Sequence, residues 1–223
     1  MTFVYRAPTL TVDTVIFRLV DGRLNVLLIK RGSEPFKGSW ALPGGYNTAD
    51  DTTMQVVDRV LRTKVGVTPD DLAYVEQLYT FDTVTRDPRG HAVSVTYLGL
   101  SNKLEPQVSE ETQQPTYFPV DRLPHLAYDH ADIIKYALER LRSKLAYTTI
   151  VFALMPGAFT LTQLQQAYEI ILGRELDKRN FRKKFLSFDQ LVSTGEYFQD
   201  GAHRPALLYR FRQPEIQTLL RDF

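Results

Sequence analysis

The chain has 223 residues, 43% of them hydrophobic, with 12 Tyr and 13 Phe: enough apolar side chain for one sizeable core or two modest ones. A formal net charge of +1 argues neither for nor against nucleic acid, and the lack of cysteine excludes disulfides, thiolate metal sites and cysteine nucleophiles. The N-terminal MTFVYRAPTLTVD has no basic region followed by an apolar run, and no apolar run approaches the ~18 residues of a membrane span, so a cytoplasmic protein with no membrane partner is expected.

From Thr9 to Val20 the pattern is β-rich, and Asp21-Gly22 is a strong turn signal before Leu24 to Lys30, which predicts a hairpin. A loop punctuated by Pro and Gly follows from Gly32 to Tyr46. Asp50 to Lys64 reads as a helix, capped by Asp50 or Asp51, with Met54, Val57 and Leu61 at helical spacing. Leu72 to Asp82 and Ala92 to Leu100 are strand-like, separated by the turn Asp87-Pro88-Arg89-Gly90, and Tyr117 to Val120 is a further short strand. Ala131 to Leu145 predicts a helix with Ile134, Ala137, Leu138, Leu141 and Leu145 on one side. Strands mixed with a few helices make this stretch an α+β unit.

The pattern changes near residue 146. Ala146 to Leu154 reads as an apolar helix closed by Pro156-Gly157. Thr160-Leu161-Thr162 is a capping site for a second helix, with Leu164, Tyr168, Ile171 and Leu172 inward and Gly173 at its end. Leu176-Asp177 opens a third helix running to about Phe188. Strand-like Leu191 to Phe198 and Ala206 to Phe211 follow. Helix, helix, turn, helix and hairpin is the order of a winged helix-turn-helix. The predicted units are residues 1–145 and 146–223, with no Gly-, Pro- or Ser-rich linker between them.

The stretch from Gly45 to Val67 keeps the frame of a Nudix box: Gly45, Arg59, Leu61, Gly66 and Val67 stand at the box spacings. The preceding run Trp40-Ala41-Leu42-Pro43-Gly44-Gly45 and the upstream Arg31 fit the same family. Residues 9 to 145 therefore resemble a Nudix domain, which implies an α/β/α sandwich. The box carboxylates are mostly missing: Asp51 replaces the first Glu, and Val60, Thr63 and Lys64 stand where the other three belong. Adjoining helix positions direct residues 60, 63 and 64 toward one small region. A lysine ~4 Å from a dication costs ~8 kcal/mol at an effective dielectric of ~20. Asp51 and Asp58 alone make a weak magnesium site. Glu110 and Glu111 are a candidate loop base, with surface charge the simpler reading. No catalytic residue, metal or cofactor is expected.

Ligand binding survives the loss of a metal if cations hold a pyrophosphate through charge-assisted forks. Arg31, Arg86, Arg89 and Lys64 are the candidates, each also readable as a solvated surface charge. Phe36, Trp40, Tyr79 and Phe81 are candidates to stack an adenine, with core packing as the alternative. Gly44 and Gly45 allow a close backbone approach to phosphate.

In the second unit, residues 174–184 form a dense basic run. Phe181, Phe185 and Phe188 fall on one side of the third helix. Arg179, Asn180 and Lys183 lie opposite, Arg182 flanks them, and Lys178 belongs to the same run. Arg, Lys and Asn are the side chains that read purine edges, so this is the expected recognition helix. Thr160 and Thr162 are placed to donate to phosphate at a helix start. His203 and Arg204 are candidate wing contacts, though a loop without contacts also fits His203. His91, His125 and His130 have no metal-ligand spacing and read as structural or surface residues.

A degenerate Nudix domain followed by a winged helix resembles the Nudix-related transcriptional regulators of NAD metabolism, the NrtR family. That resemblance implies a homodimeric repressor of NAD synthesis or salvage genes, bound to a pseudo-palindromic double-stranded operator and released by ADP-ribose or a related nucleotide. It extends to the run Tyr79-Thr80-Phe81 and to residues 86–90 as a ligand-side segment. Two other readings stay open: an active Nudix hydrolase of ADP-ribose or dinucleotides with an accessory domain, and an adaptor whose winged helix contacts protein.

Overall fold

The computed structural model describes residues 7–107, 114–199 and 205–219, so Glu110, Glu111, His203 and Arg204 lie outside the described residues. Strands β1 (Thr9–Val20) and β2 (Arg23–Lys30) form the expected hairpin. Asp21 and Gly22 both sit at positive φ, 48° and 71°, as a two-residue turn between twisted strands requires. The loop that follows holds two short strands the sequence pattern did not mark, β3 (Trp40–Ala41) and β4 (Gly44–Tyr46). β5 (Tyr74–Phe81), β6 (Ala92–Leu100) and β7 (Thr116–Pro119) complete a mixed seven-stranded sheet. Its order is β3-β2-β1-β6-β5, with β4 on β1 and β7 on β2; β1 runs parallel to β6.

Alternation along the central strands covers both faces of this sheet. Val12 and Ile16 of β1, with Leu27 of β2, pack under helix α1 (Thr53–Val60). Val15 and Phe17, with Val26 and Leu28, pack under helix α2 (His130–Tyr147). This is the sandwich of helix, sheet and helix.

The helix ends differ from expectation in three places. Thr52, not Asp50 or Asp51, caps α1: its hydroxyl accepts from the Gln55 N–H at 3.3 Å while Gln55 Oε1 accepts from the Thr52 N–H at 2.8 Å. A threonine three residues before a glutamine forms a reciprocal box, and Asp51 is drawn away to Arg59. Consequently Met54 is exposed, and Val56, Val57 and Val60 face the core. Beyond Val60 the chain widens into a π-helical turn, Leu61–Val65. Val60 and Lys64 nevertheless both come against the Gly44-Gly45 backbone, while Thr63 turns its hydroxyl back to the Arg59 carbonyl. The predicted helix over 146–154 is absent. α2 absorbs Ala146 and Tyr147, Thr148 turns extended while its hydroxyl bonds the Lys144 carbonyl at 2.7 Å, and Ile150–Leu154 is a short 3₁₀ turn.

β8 (Phe159–Thr160), α3 (Leu161–Leu172), α4 (Lys178–Ser187), β9 (Leu191–Phe198) and β10 (Ala206–Phe211) make the winged helix, with sheet order β8-β10-β9. Thr160 caps α3 through a box with Gln163, and Gly173 closes it at φ 69°. Asp177 caps α4 by accepting from the Asn180 N–H at 2.8 Å. Tyr168 of α3 meets Phe181 and Phe185 of α4 at ring distances of 5.4 and 5.6 Å.

One hydrophobic core runs through both halves. Val15, Val26 and Leu28 of the sheet, Ile134, Leu141 and Leu145 of α2, and Leu164, Tyr168 and Phe185 of the winged helix belong to the same cluster. Polar contacts reinforce the seam: Arg142 Nε donates to the Ile171 carbonyl at 2.7 Å, and Asn102 Nδ2 donates to the Met155 carbonyl.

Candidate functional site

A cleft of about 210 Å³ opens where the ends of β1, β2 and β4 meet the loop after β5 and the start of α2. Arg31, Gly44, Gly45, Lys64, Arg86 and Arg89 of the sequence-predicted set line it, joined by Asp13, Tyr46, Asp87, Tyr128 and His130.

The four cations are held in different ways. Arg31, at the end of β2, donates through Nε to the Pro35 carbonyl at 2.9 Å and lies over the Tyr128 ring at 4.9 Å, so its charge faces neutral partners. Lys64 emerges from the π-helical turn and donates its ammonium to the Gly44 carbonyl. Arg89 grips Asp87 through Nε at 3.0 Å and Nη2 at 2.7 Å, and also reaches the hydroxyls of Tyr46 and Tyr128. The Arg89 fork holds the Asp87 carboxyl below the usual carboxylate range. Arg86 departs from expectation. Its side chain is 4% exposed, and its fork is spent on Asp129 at 2.9 and 2.8 Å, with Asp13 at 3.5 Å. Burial pulls its pKa down, but the Asp129 and Asp13 carboxylates more than offset this and raise it. Arg86 is thus a buried structural charge rather than an open fork.

The two glycines serve the protein's own packing. A Cβ on Gly44 would lie 2.0 Å from Asp13 Oδ1, and one on Gly45 would lie 3.0 Å from a methyl of Val60. Asp13 also accepts from Ser94 Oγ at 2.6 Å. His130 is buried, with Nδ1 accepting the Leu42 N–H at 2.9 Å, which places the ring proton on Nε2, 3.8 Å from Asp13 Oδ1. Burial depresses its pKa, against the pull of Asp13 and Asp129, and the ring is neutral.

The aromatic candidates are not on the cleft wall. Phe36 stands behind it, edge-on to Tyr128 at 4.8 Å. Trp40 packs on Phe118 at 4.7 Å as part of the main core. Tyr79 and Phe81 cluster with Tyr136 of α2 at 5.0 and 5.7 Å. Strand alternation carries these two to the α2 side of β5. Tyr46 and Tyr128 are the cleft's aromatic residues, and the sequence held no signal for either.

The remnants of the box hold no cluster of carboxylates. Asp51 pairs with Arg59 at 3.0 Å and Asp58 with Arg62 at 2.9 Å. Val60 is buried in the core, and Thr63 returns its hydroxyl to the Arg59 carbonyl. Among the described residues no group of three or more His, Asp or Glu side chains is placed to hold a metal ion.

In the winged helix, α4 buries Phe181 and Phe185 and exposes Lys178, Arg179, Asn180 and Lys183, of which Arg179, Asn180 and Lys183 lie opposite the buried pair. Arg182 is half-buried and donates to Thr162 Oγ1 at 3.0 Å, which ties the start of α3 to the middle of α4. Thr160 is 5% exposed and its hydroxyl accepts from the Gln163 N–H at 3.1 Å, so the structure places it as a buried helix cap. Among the described residues, no helix is long and apolar enough to cross a membrane.

Comparisons with known proteins bear on both ends of the chain. Residues 9–141 match the NUDIX domain model and residues 151–211 match the NrtR DNA-binding winged helix domain model. The chain is 39% identical over 213 residues to the ADPR responsive transcriptional repressor NtrR of Acinetobacter baylyi, covering 93% of this chain and 83% of that protein. Its fold is similar to Shewanella oneidensis NrtR complexed with a 27mer DNA, at a TM-score of 0.80 and 36% identity over 96% of this chain and 99% of that one. It also resembles the Nudix domain of Shewanella oneidensis NrtR complexed with ADP ribose, at a TM-score of 0.55 and 38% identity over 61% of this chain and 90% of that one.

Proposed function

The chain belongs to the NrtR family, and from that premise we propose that it is a DNA-binding transcriptional repressor of NAD synthesis or salvage genes, released from its operator by ADP-ribose. One observation carries this reading: a cationic cleft and an exposed basic helix face are joined by a single continuous core. Relatives named as ADP-ribose-responsive, or crystallised with DNA and with ADP ribose, support both ends. A repressor acts where the chromosome is, so the cytoplasm is the proposed location.

Arg31, Lys64 and Arg89 are assigned to the diphosphate, with Gly44 and Gly45 as backbone floor and Tyr46 and Tyr128 as aromatic walls. Lys178, Arg179, Asn180 and Lys183 are assigned to the operator, with the half-buried Arg182 and Thr162 bracing the approach of α4. Residues 1–145 are the sensing unit and 146–223 the reading unit, although residue 146 falls in the last turn of α2.

A divalent cation does not fit the box positions. Lys64 brings an ammonium to the Gly44 carbonyl, and the surviving aspartates are engaged by Arg59 and Arg62. Binding without hydrolysis is therefore part of the proposal. As a homodimer the protein would present two α4 helices about one DNA turn apart, roughly 34 Å. A nucleotide that binds the DNA-free arrangement better weakens the operator by its own preference, typically ~5- to 150-fold.

Calorimetry against ADP-ribose, NAD and NMN, then a DNA mobility shift with each, tests the reading. ADP-ribose should bind and release the DNA, with DNA affinity falling steeply with salt. Absence of ADP-ribose binding, or release of AMP with magnesium, would overturn it.

A further inference from the structure

We propose that Tyr128 is the positioning residue for the nucleotide's diphosphate, holding Arg31 by its ring and Arg89 by its hydroxyl so that two cations from separate segments meet one ligand. The proposal rests on the assignment of the cleft as the nucleotide site.

The geometry converges on this side chain. The Arg31 guanidinium lies 4.9 Å from the ring centroid, and Arg89 Nη2 donates to the hydroxyl at 3.2 Å. Arg31 comes from the end of β2 and Arg89 from the turn before β6. Two like charges brought to one cleft repel, and each long side chain has many rotamers. A neutral group that attracts both counters that repulsion. A tyrosine does so in two ways at once, through the negative face of its ring and through an oxygen lone pair. Phe36 meets the ring edge-on at 4.8 Å and His130 lies at 5.3 Å, which fixes the ring's own orientation.

The hydroxyl is neutral as well: partial burial raises its pKa, despite the pull of Arg31 and Arg89, so it meets Arg89 as an acceptor without adding charge to the cleft.

The backbone is bent to the same end. Tyr128 has φ 53°, a left-handed conformation that residues with a Cβ rarely adopt. It persists because both flanks are fixed: the Ala127 N–H donates to the Trp40 carbonyl at 2.8 Å, and Asp129 is clamped by Arg86. Backbone strain held in place by its surroundings is characteristic of binding and switch sites. Asp87 and Tyr46 also hold Arg89, but neither touches Arg31 in the structure; Tyr128 alone bridges the pair among the described residues.

The test is calorimetry with ADP-ribose on the full-length chain and on Tyr128→Phe, Tyr128→Leu, Arg89→Gln and the double variant Y128F/R89Q. Y128F keeps the ring and loses the hydroxyl, and should weaken binding about five- to tenfold. Y128L loses both and should weaken it further. The Y128F effect should vanish in the R89Q background, because the hydroxyl acts through Arg89; a general packing defect would persist there. Should Y128L fail to fold, the Y128F cycle decides alone. Unchanged affinity in Y128F, or an equal loss with and without Arg89, overturns the proposal while leaving the cleft's assignment intact. A wild-type chain that does not bind ADP-ribose overturns both.

Discussion

Arg86 and Asp129 close a buried bidentate pair, 2.9 and 2.8 Å, between the loop after β5 and the residue that opens α2. The charge is almost wholly removed from water, so deleting one partner strands the other. Arg86→Met should cost about 3–5 kcal/mol of stability, and pairing it with Asp129→Leu should recover part of that loss. Urea unfolding of the single and double variants measures it. A cost below about 1 kcal/mol for R86M would show that the pair is solvated in solution.

Lys64 occupies the last glutamate position of the box and reaches the Gly44 carbonyl within the cleft. ADP-ribose affinity of the wild type should be unchanged by EDTA or magnesium. Lys64→Gln should weaken it by roughly 10- to 100-fold, the loss of a charge-assisted contact. Titration calorimetry with and without metal reads both, and a strict magnesium requirement would refute the assignment.

Arg179 and Lys183 lie exposed on α4, while Thr160 is buried in its cap. Replacing both cations by Ala should abolish binding to an operator selected from random duplexes and leave ADP-ribose binding intact. A single replacement should reduce the salt slope by about one. Thr160→Ala should instead lower stability by about 0.5–2 kcal/mol. Unchanged DNA affinity in the R179A/K183A double variant would disprove α4 as the reading element.

His130 is held neutral by burial, with its pKa below the ordinary 6.5. The unfolded chain therefore binds a proton that the folded chain refuses. The stability this confers is present above pH 6.5 and is lost as pH falls through the depressed value, at up to ~1.4 kcal/mol per pH unit. His130→Asn retains an acceptor for the Leu42 N–H and should flatten the slope of melting temperature against pH between 5 and 6.5. Parallel slopes in the two proteins would exclude the histidine as the source.

Much of the architecture was readable because its signals are local. The Asp21-Gly22 turn, the Thr160 cap, the αL Gly173 and the apolar face of Phe181 and Phe185 each follow from a few neighbouring residues. The cleft was half readable: box spacing found Lys64, and the flanking motif found Arg31. What failed depends on partners distant in sequence. Nothing near Arg86 announces that Asp129 will consume it, and nothing in Trp40 announces Phe118. Tyr128 escaped notice because its importance lies in a backbone angle and in two arginines far from it in sequence. The helix expected over 146–154 failed for the same reason, since Thr149 pairs with Gln217 near the chain's other end.

The core that links sheet, α2 and winged helix has a mechanical consequence. Close-packed interiors are poorly compressible and pass strain on rather than absorbing it. α2 runs from His130 at the rim of the cleft to Leu141 and Leu145, which share one packed core with Leu164 and Tyr168, so the site and the winged helix are braced by the same helix.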